Sequence, residues 1–134
     1  MGDGTSGPVQ QREETILIVE DDALLLTFAA EELSSIGYRV LKASNAHQAL
    51  THLQHNERID VLFSDIVMPG GMNGVELSLE ARRIRPGLKV LLTSGYANAP
   101  PDGGASADLQ VLVKPYRPEE LGQRLRRLLD GSPP

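Results

Sequence analysis

The sequence predicts an α/β fold, a (βα)5 doubly wound parallel sheet with an irregular or short fourth helix. Three observations predict it. Short, continuous apolar runs recur along the chain, as in TILIV at 15–19, DVLFS at 60–64, LKVLL at 88–92 and LQVLV at 109–113. Strands buried on both faces have this character. Between the runs, apolar residues recur at helical spacing, and each run stops at polar, charged or turn residues. Alternation of this kind implies a parallel sheet covered on both sides by helices.

The elements follow in order. Residues 1–14 are rich in Gly, Ser, Gln and charge and read as a disordered leader or linker. The first strand, 15–19, stops at Glu20-Asp21-Asp22. Asp22 is the expected N-cap of a helix through Leu24, Leu25, Phe28, Ala29, Leu33 and Ile36, with Gly37 just past its end. Residues 38–41 form the second strand. Ser44 is placed to cap a helix carrying Ala46, Ala49, Leu50 and Leu53. The third strand, 60–64, ends at Asp65, and a Pro- and Gly-rich turn follows from Met68 to Gly74. Residues 75–84 are helical in pattern and Arg85-Pro86-Gly87 stops them. The fourth strand, 88–92, ends at Thr93-Ser94-Gly95. In 97–108, two prolines and two glycines oppose a regular helix. The fifth strand, 109–113, ends at Lys114-Pro115. Pro118 suits the first turn of a last helix through Leu121, Leu125, Leu128 and Leu129. One domain is expected over 15–130, with a tail at 131–134.

Composition narrows the function. A chain of 134 residues with 40% hydrophobic and 23% charged residues suits one soluble domain with a real core. The absence of cysteine excludes disulfides, Cys-based zinc sites and cysteine nucleophiles. The net charge of −5 disfavours direct nucleic-acid binding, which needs clustered Lys and Arg. Arg124, Arg126 and Arg127 read as a solvated helix face near a helix C-terminus. No apolar run approaches the roughly 18 residues of a membrane span. A cytoplasmic location is expected, with no membrane insertion.

Chemistry collects at the carboxyl ends of the strands, where open α/β sheets keep their functional crevice. The fold would bring Glu20, Asp21, Asp65, Thr93, Ser94 and Lys114 to one edge. Three carboxylates at one point repel and raise one another's pKa. Lys114 offsets one charge and a divalent cation offsets two. Oxygen donors suit magnesium, which takes one or two carboxylates, keeps waters and accepts phosphate oxygens. Zinc would need His or Cys, and none is placed there. A carboxylate can attack phosphorus and form an acyl phosphate. Asp65, alone at a strand end before a flexible loop, is the best nucleophile, with Lys114 and a hydroxyl to neutralise charge on the transferring oxygens.

These residues carry a resemblance to a known family. Ile18-Val19-Glu20-Asp21-Asp22, Ser64-Asp65-Ile66-Val67-Met68-Pro69-Gly70, Thr93-Ser94-Gly95-Tyr96 and Val113-Lys114-Pro115-Tyr116 resemble the four signatures of response-regulator receiver domains, in order. The likeness extends over about 15–129. It implies the flavodoxin-like strand order 2-1-3-4-5, which periodicity alone does not give. Position by position, it implies Asp65 as phosphoacceptor and Glu20 and Asp21 as the acidic pair holding Mg2+, Asp21 directly and Glu20 through water. It implies a metal contact from the backbone carbonyl of Val67, phosphoryl sensing by Ser94 and Lys114, and a candidate cis peptide before Pro115. The loop after Asp65 is one Gly longer than the common form, which favours Ser94 over Thr93 as the family hydroxyl. The expected donor is a histidine kinase or a histidine phosphotransfer protein. Oligomeric state is left open.

Two departures stand out. Val111 occupies the place where the family often has a switching aromatic, leaving Tyr96 and Tyr116 as the nearby aromatic candidates. The segment 97–108 weakens any expectation of the usual dimer face. His47, His52 and His55 fall on the second helix, away from the strand ends, and read as a solvated face rather than a metal site. A magnesium-dependent phosphohydrolase is the competing enzyme reading, but such enzymes commonly carry a second acid two residues past the nucleophile, where this chain has Val67. A pseudo-receiver is opposed by the complete Asp, Lys and hydroxyl set. The signature variants look most like receivers attached to hybrid sensor kinases.

Overall fold

A computed structural model describes residues 14–55, 58–95 and 109–131. Along the chain lie β1 (Thr15–Val19), α1 (Ala23–Ser35), β2 (Arg39–Ala43), α2 (Ala46–Gln54), β3 (Val61–Asp65), α3 (Gly74–Ile84), β4 (Lys89–Gly95), β5 (Gln110–Lys114) and α4 (Pro118–Asp130). The five strands form one parallel sheet in the order β2-β1-β3-β4-β5. This is the doubly wound, flavodoxin-like topology that the resemblance implied. The expected irregular fourth helix at 97–108, Tyr96 and nearly all of the leader lie outside the described residues.

Alternation along each strand divides the core in two. Leu17, Leu62 and Leu92 face Leu53 of α2 and Leu77 of α3. Ile16, Ile18, Phe63 and Leu91 face Leu33 of α1 and Leu121 and Leu125 of α4. The largest of these side chains are almost fully removed from water. Burying each such Leu or Ile contributes roughly 1.5–3 kcal/mol before the entropy of ordering it is counted. β2 is an outer strand, and its Arg39 and Lys42 are exposed.

Local chemistry sets the helix ends. Asp22 caps α1 as expected, its Oδ1 accepting from the amides of Leu24 at 3.0 Å and Leu25 at 3.1 Å. Replacing Asp22 with Ala is expected to lower stability in urea denaturation by roughly 1 kcal/mol through loss of that cap. Gly37, at φ 102°, turns the chain out of α1 in a conformation that suits glycine. The cap of α2 is Asn45, not Ser44 as expected. Asn45 Oδ1 accepts from the Gln48 amide at 2.8 Å, while the Ser44 amide and hydroxyl both donate to Gln48 Oε1. Asn73 and Glu76 form a reciprocal capping box at the start of α3. Pro118 sits in the first turn of α4.

Three further expectations are corrected. The face of α1 differs in part: Leu33 is buried as expected, but Leu24, Leu25 and Phe28 are 62%, 44% and 58% exposed, and Ala30 is buried beside Leu33. The stretch ALLLTFAA is apolar on nearly every side, so spacing alone does not choose a face. β1 keeps its expected bounds, whereas the ends of the other four strands move by one or more residues, and β4 runs on through Thr93, Ser94 and Gly95. Arg124 is not part of a wholly solvated face, since its guanidinium reaches back to donate to the Val111 carbonyl at 3.3 Å.

Candidate functional site

β1, β3 and β5 deliver their last residues to one end of the sheet. Glu20 follows β1, with its amide donating to the Ala43 carbonyl at 3.1 Å and its Oε2 accepting from the Asp22 amide at 3.0 Å. Asp65 closes β3 and Lys114 closes β5. The Lys114 ammonium lies 3.2 Å from Asp65 Oδ2 and 3.5 Å from Glu20 Oε1. Carboxylate oxygens of Glu20, Asp21 and Asp65 lie within 4.8 Å of one another. Glu20 and Asp65 are buried and Asp21 is exposed. The chain thus brings together four of its predicted site residues from three separate segments.

The electrostatics follow from this crowding. Burial pushes the Glu20 carboxyl above its ordinary value, and the Asp65 charge adds to the rise. The Asp22 amide and Lys114 pull the other way without cancelling it. Burial works to lower Lys114, but the hydrogen bond and charge of Asp65, together with Glu20, outweigh it and hold the ammonium above the usual lysine range. Burial likewise raises the Tyr116 phenol.

The carboxylates offer oxygen donors only, from two buried residues and one exposed residue beside open solvent. That donor set fits a hard cation that keeps part of its water shell, as magnesium does. It does not fit zinc, which prefers nitrogen and sulfur.

The two hydroxyls on β4 part company. Thr93 is the register partner of Asp65, and by strand alternation it shares the face of Leu91, Phe63 and Asp65. Ser94 takes the opposite face with Leu92. It is fully buried and its Oγ donates to the Gly95 carbonyl at 3.1 Å. Val111 packs against that same core. Val67 is exposed in the loop after β3. The Lys114–Pro115 peptide is cis. Tyr116 packs edge-on against Phe63, with ring centroids 6.4 Å apart. The histidines stay apart from the site: His52 Nε2 meets the Lys42 carbonyl, and His55 Nδ1 meets that of Thr51.

Sequence reasoning treated Gly74 as turn chemistry, yet it is a close contact of the site. Its amide donates to the Ile66 carbonyl at 2.8 Å. A Cβ there would overlap the Asp65 carbonyl oxygen and lie 2.8 Å from Ile66 Cα and 2.9 Å from the Asp65 carbonyl carbon. A glycine directly after the Asn73 cap, at the foot of a helix following the nucleophile strand, was the available signal.

Known proteins resemble this chain in sequence and fold. The sequence profile described as "Response regulator receiver domain" matches residues 16–126. The chain is 36% identical over 116 residues to the response regulator receiver protein CpdR of Brucella abortus (strain 2308), covering 85% of this chain and 95% of that protein. It is 32% identical over 123 residues to the sensor kinase CckA of the same organism, covering 87% of this chain but only 12% of the kinase. Among solved structures, a response regulator receiver protein from Sinorhizobium medicae WSM419 superposes with a TM-score of 0.81 at 27% identity, over 89% of this chain and 96% of the other. Among the described residues, no helix is long and apolar enough to cross a membrane.

Proposed function

The chain belongs to the response regulator receiver domain family, and from that premise we propose that Asp65 is the residue on which it accepts a phosphoryl group from a histidine kinase or a histidine phosphotransfer protein. A receiver is a phosphoacceptor in two-component signalling rather than a classical enzyme. The observation that carries Asp65 is the Lys114 ammonium 3.2 Å from its carboxylate, within a cluster completed by Glu20 and Asp21.

An Asp65 carboxylate oxygen attacks phosphorus in line. The phosphorus–nitrogen bond of the phosphohistidine breaks, and its electron pair stays on the imidazole. Lys114 holds positive charge against the oxygens of the transferring group. The family resemblance assigns the phosphoryl-sensing hydroxyl to Ser94, and because Ser94 lies across the sheet from Asp65, a shift at the end of β4 would have to accompany release of its hydroxyl from the Gly95 carbonyl. Glu20, Asp21, Asp65 and the Val67 carbonyl would hold Mg2+, which when bound neutralises negative charge on phosphate oxygens. A ring swinging into the Val111 position is not available to report the change. The packing of Phe63 with Tyr116 lies on the other face. The direct test is phosphoramidate, a small donor with a phosphorus–nitrogen bond. With magnesium, the intact mass is expected to grow by one phosphoryl group. A protein that stays unlabelled under these conditions sinks the reading.

The same cluster predicts a metal- and pH-linked stability. In EDTA, the folded Glu20 carboxyl keeps its proton to higher pH than the unfolded one. Stability therefore falls as pH rises from the ordinary carboxylate range through the folded value of Glu20. Lys114 has the opposite protonation chemistry but the same sign. Its contribution is complete below the ordinary lysine range and is lost as pH rises through its raised value. Magnesium binds the ionised carboxylates and should restore about 2.7 kcal/mol at neutral pH when present at a hundred times its Kd. Thermal melts with EDTA and with graded magnesium measure both effects. Magnesium that leaves Tm unchanged argues against the metal assignment.

A further inference from the structure

A cleft of about 660 Å3 opens between α1 and the start of α4, with the sheet as its floor. Cavities of roughly 300–1,000 Å3, mostly apolar with a few polar groups, are the usual shape of small-molecule sites. Its walls are Leu25 and Phe28 from α1, Phe63 from β3, Leu121 from α4 and the ring of Tyr116. Leu25 and Phe28 are 44% and 58% exposed, so the protein leaves this apolar surface uncovered by its own described residues. The helices close together at the far end, where Ile36 Cδ1 stands 3.6 Å from the place of a Cβ on Gly122.

Thr93 is the independent observation. It lines the cleft at the level of the sheet and is only 4% exposed. Its hydroxyl oxygen is the one buried side-chain polar atom among the described residues that has no hydrogen-bond partner. Buried hydroxyls almost always have one. A hydroxyl both donates and accepts, and a turn of about 120° to another staggered χ1 well would carry its oxygen into the direction its methyl group holds, with the methyl moving to that of the β-hydrogen. The charge around the cleft limits the ligand further. Among the described residues, Glu20, Glu31 and Glu32 line it against one cation, Lys114, which is already engaged by Asp65 and Glu20. An anionic ligand would meet excess negative charge.

We propose that this cleft binds a small, uncharged, mainly aromatic or aliphatic molecule whose one hydroxyl or amide group meets the Thr93 hydroxyl. The site does not depend on phosphorylation of Asp65, and its test uses the unphosphorylated, metal-free protein.

The probes are 2-naphthol, naphthalene and 2-naphthoate, followed by amide chemical shifts and by calorimetry. The wild type is expected to bind 2-naphthol about fivefold more tightly than naphthalene, the size of one net hydrogen bond. 2-Naphthoate should bind most weakly. Shifts should centre on Phe28, Thr93 and Tyr116. Thr93→Val keeps the shape and removes the hydroxyl. It should abolish the preference for 2-naphthol, leave naphthalene binding intact and hold or raise Tm. Phe28→Ser should weaken both neutral probes. No 2-naphthol binding up to its solubility limit overturns the proposal. So does a preference that survives Thr93→Val, or a Tm that falls in that variant, since the hydroxyl would then have a partner within the fold. A cleft that ignores the probes but becomes protected in complex with a donor kinase would assign this surface to protein docking and likewise overturn it.

Discussion

Asp65→Asn is expected to reduce phosphoryl incorporation from phosphoramidate to background, a loss of more than about a hundredfold, while the protein remains folded. An amide is nearly the same shape as a carboxylate, so the packing at the end of β3 is kept. It lacks the anionic oxygen that forms the acyl phosphate. Intact-mass measurement gives the labelled fraction, and circular dichroism checks the fold. Lys114→Met provides the contrast. It keeps Asp65 but removes the cation 3.2 Å away, so labelling should slow rather than vanish. If Asp65→Asn labels as well as the wild type, the phosphoacceptor is another residue and the proposed site fails.

Gly74→Ala should have the second large effect. A methyl group at that position would collide with the backbone of Asp65 and Ile66, not with the movable end of a side chain. Either α3 withdraws or the end of β3 shifts, and the cost is expected to be about 3 kcal/mol, at the upper end for overpacking. Because the displaced backbone belongs to Asp65, labelling should also slow in the fraction that stays folded. Gly87→Ala is the control. Nothing lies within 4 Å of a Cβ there and its φ is not in the left-handed range, so stability should change by no more than about 0.5 kcal/mol. Urea titration gives the stabilities. Single-turnover labelling, corrected for folded fraction, separates loss of fold from misplacement of Asp65. A well-tolerated Gly74→Ala would mean that α3 has slack that its contact with β3 does not suggest.

Much of this molecule is written locally in its sequence. β1 and β3 are legible because each has a short run of consecutive apolar residues buried on both faces, followed closely by an acid. Asp22 is legible as a cap because it immediately precedes an apolar helix. The neighbour of each strand is different. Nothing in TILIV says that it lies between β2 and β3, and that order came only from likeness to a family. The buried face of α1 was misread because Leu24, Leu25 and Phe28 are as apolar as Ala30 and Leu33, so tertiary packing made the choice. Asn45 won the α2 cap over Ser44 because Gln48 engages both, and a one-residue difference in reach is invisible to composition. At the site, the charged residues were readable because their separate motifs had to converge to make sense. Thr93 and Ser94 were both read at this edge, but only the register of β4 against β3 shows which hydroxyl shares the face of Asp65. Gly74 was missed because its significance is the room it leaves for another residue.

The outer position of β2 bears on how the protein behaves in a crowded solution. Among the described residues no strand pairs with its outer border, which is only five residues long and displays Arg39 and Lys42 to the solvent. A second copy trying to extend the sheet by laying its own β2 alongside would bring like charges together for the gain of a few backbone hydrogen bonds. Pairing of two copies through this border is therefore disfavoured.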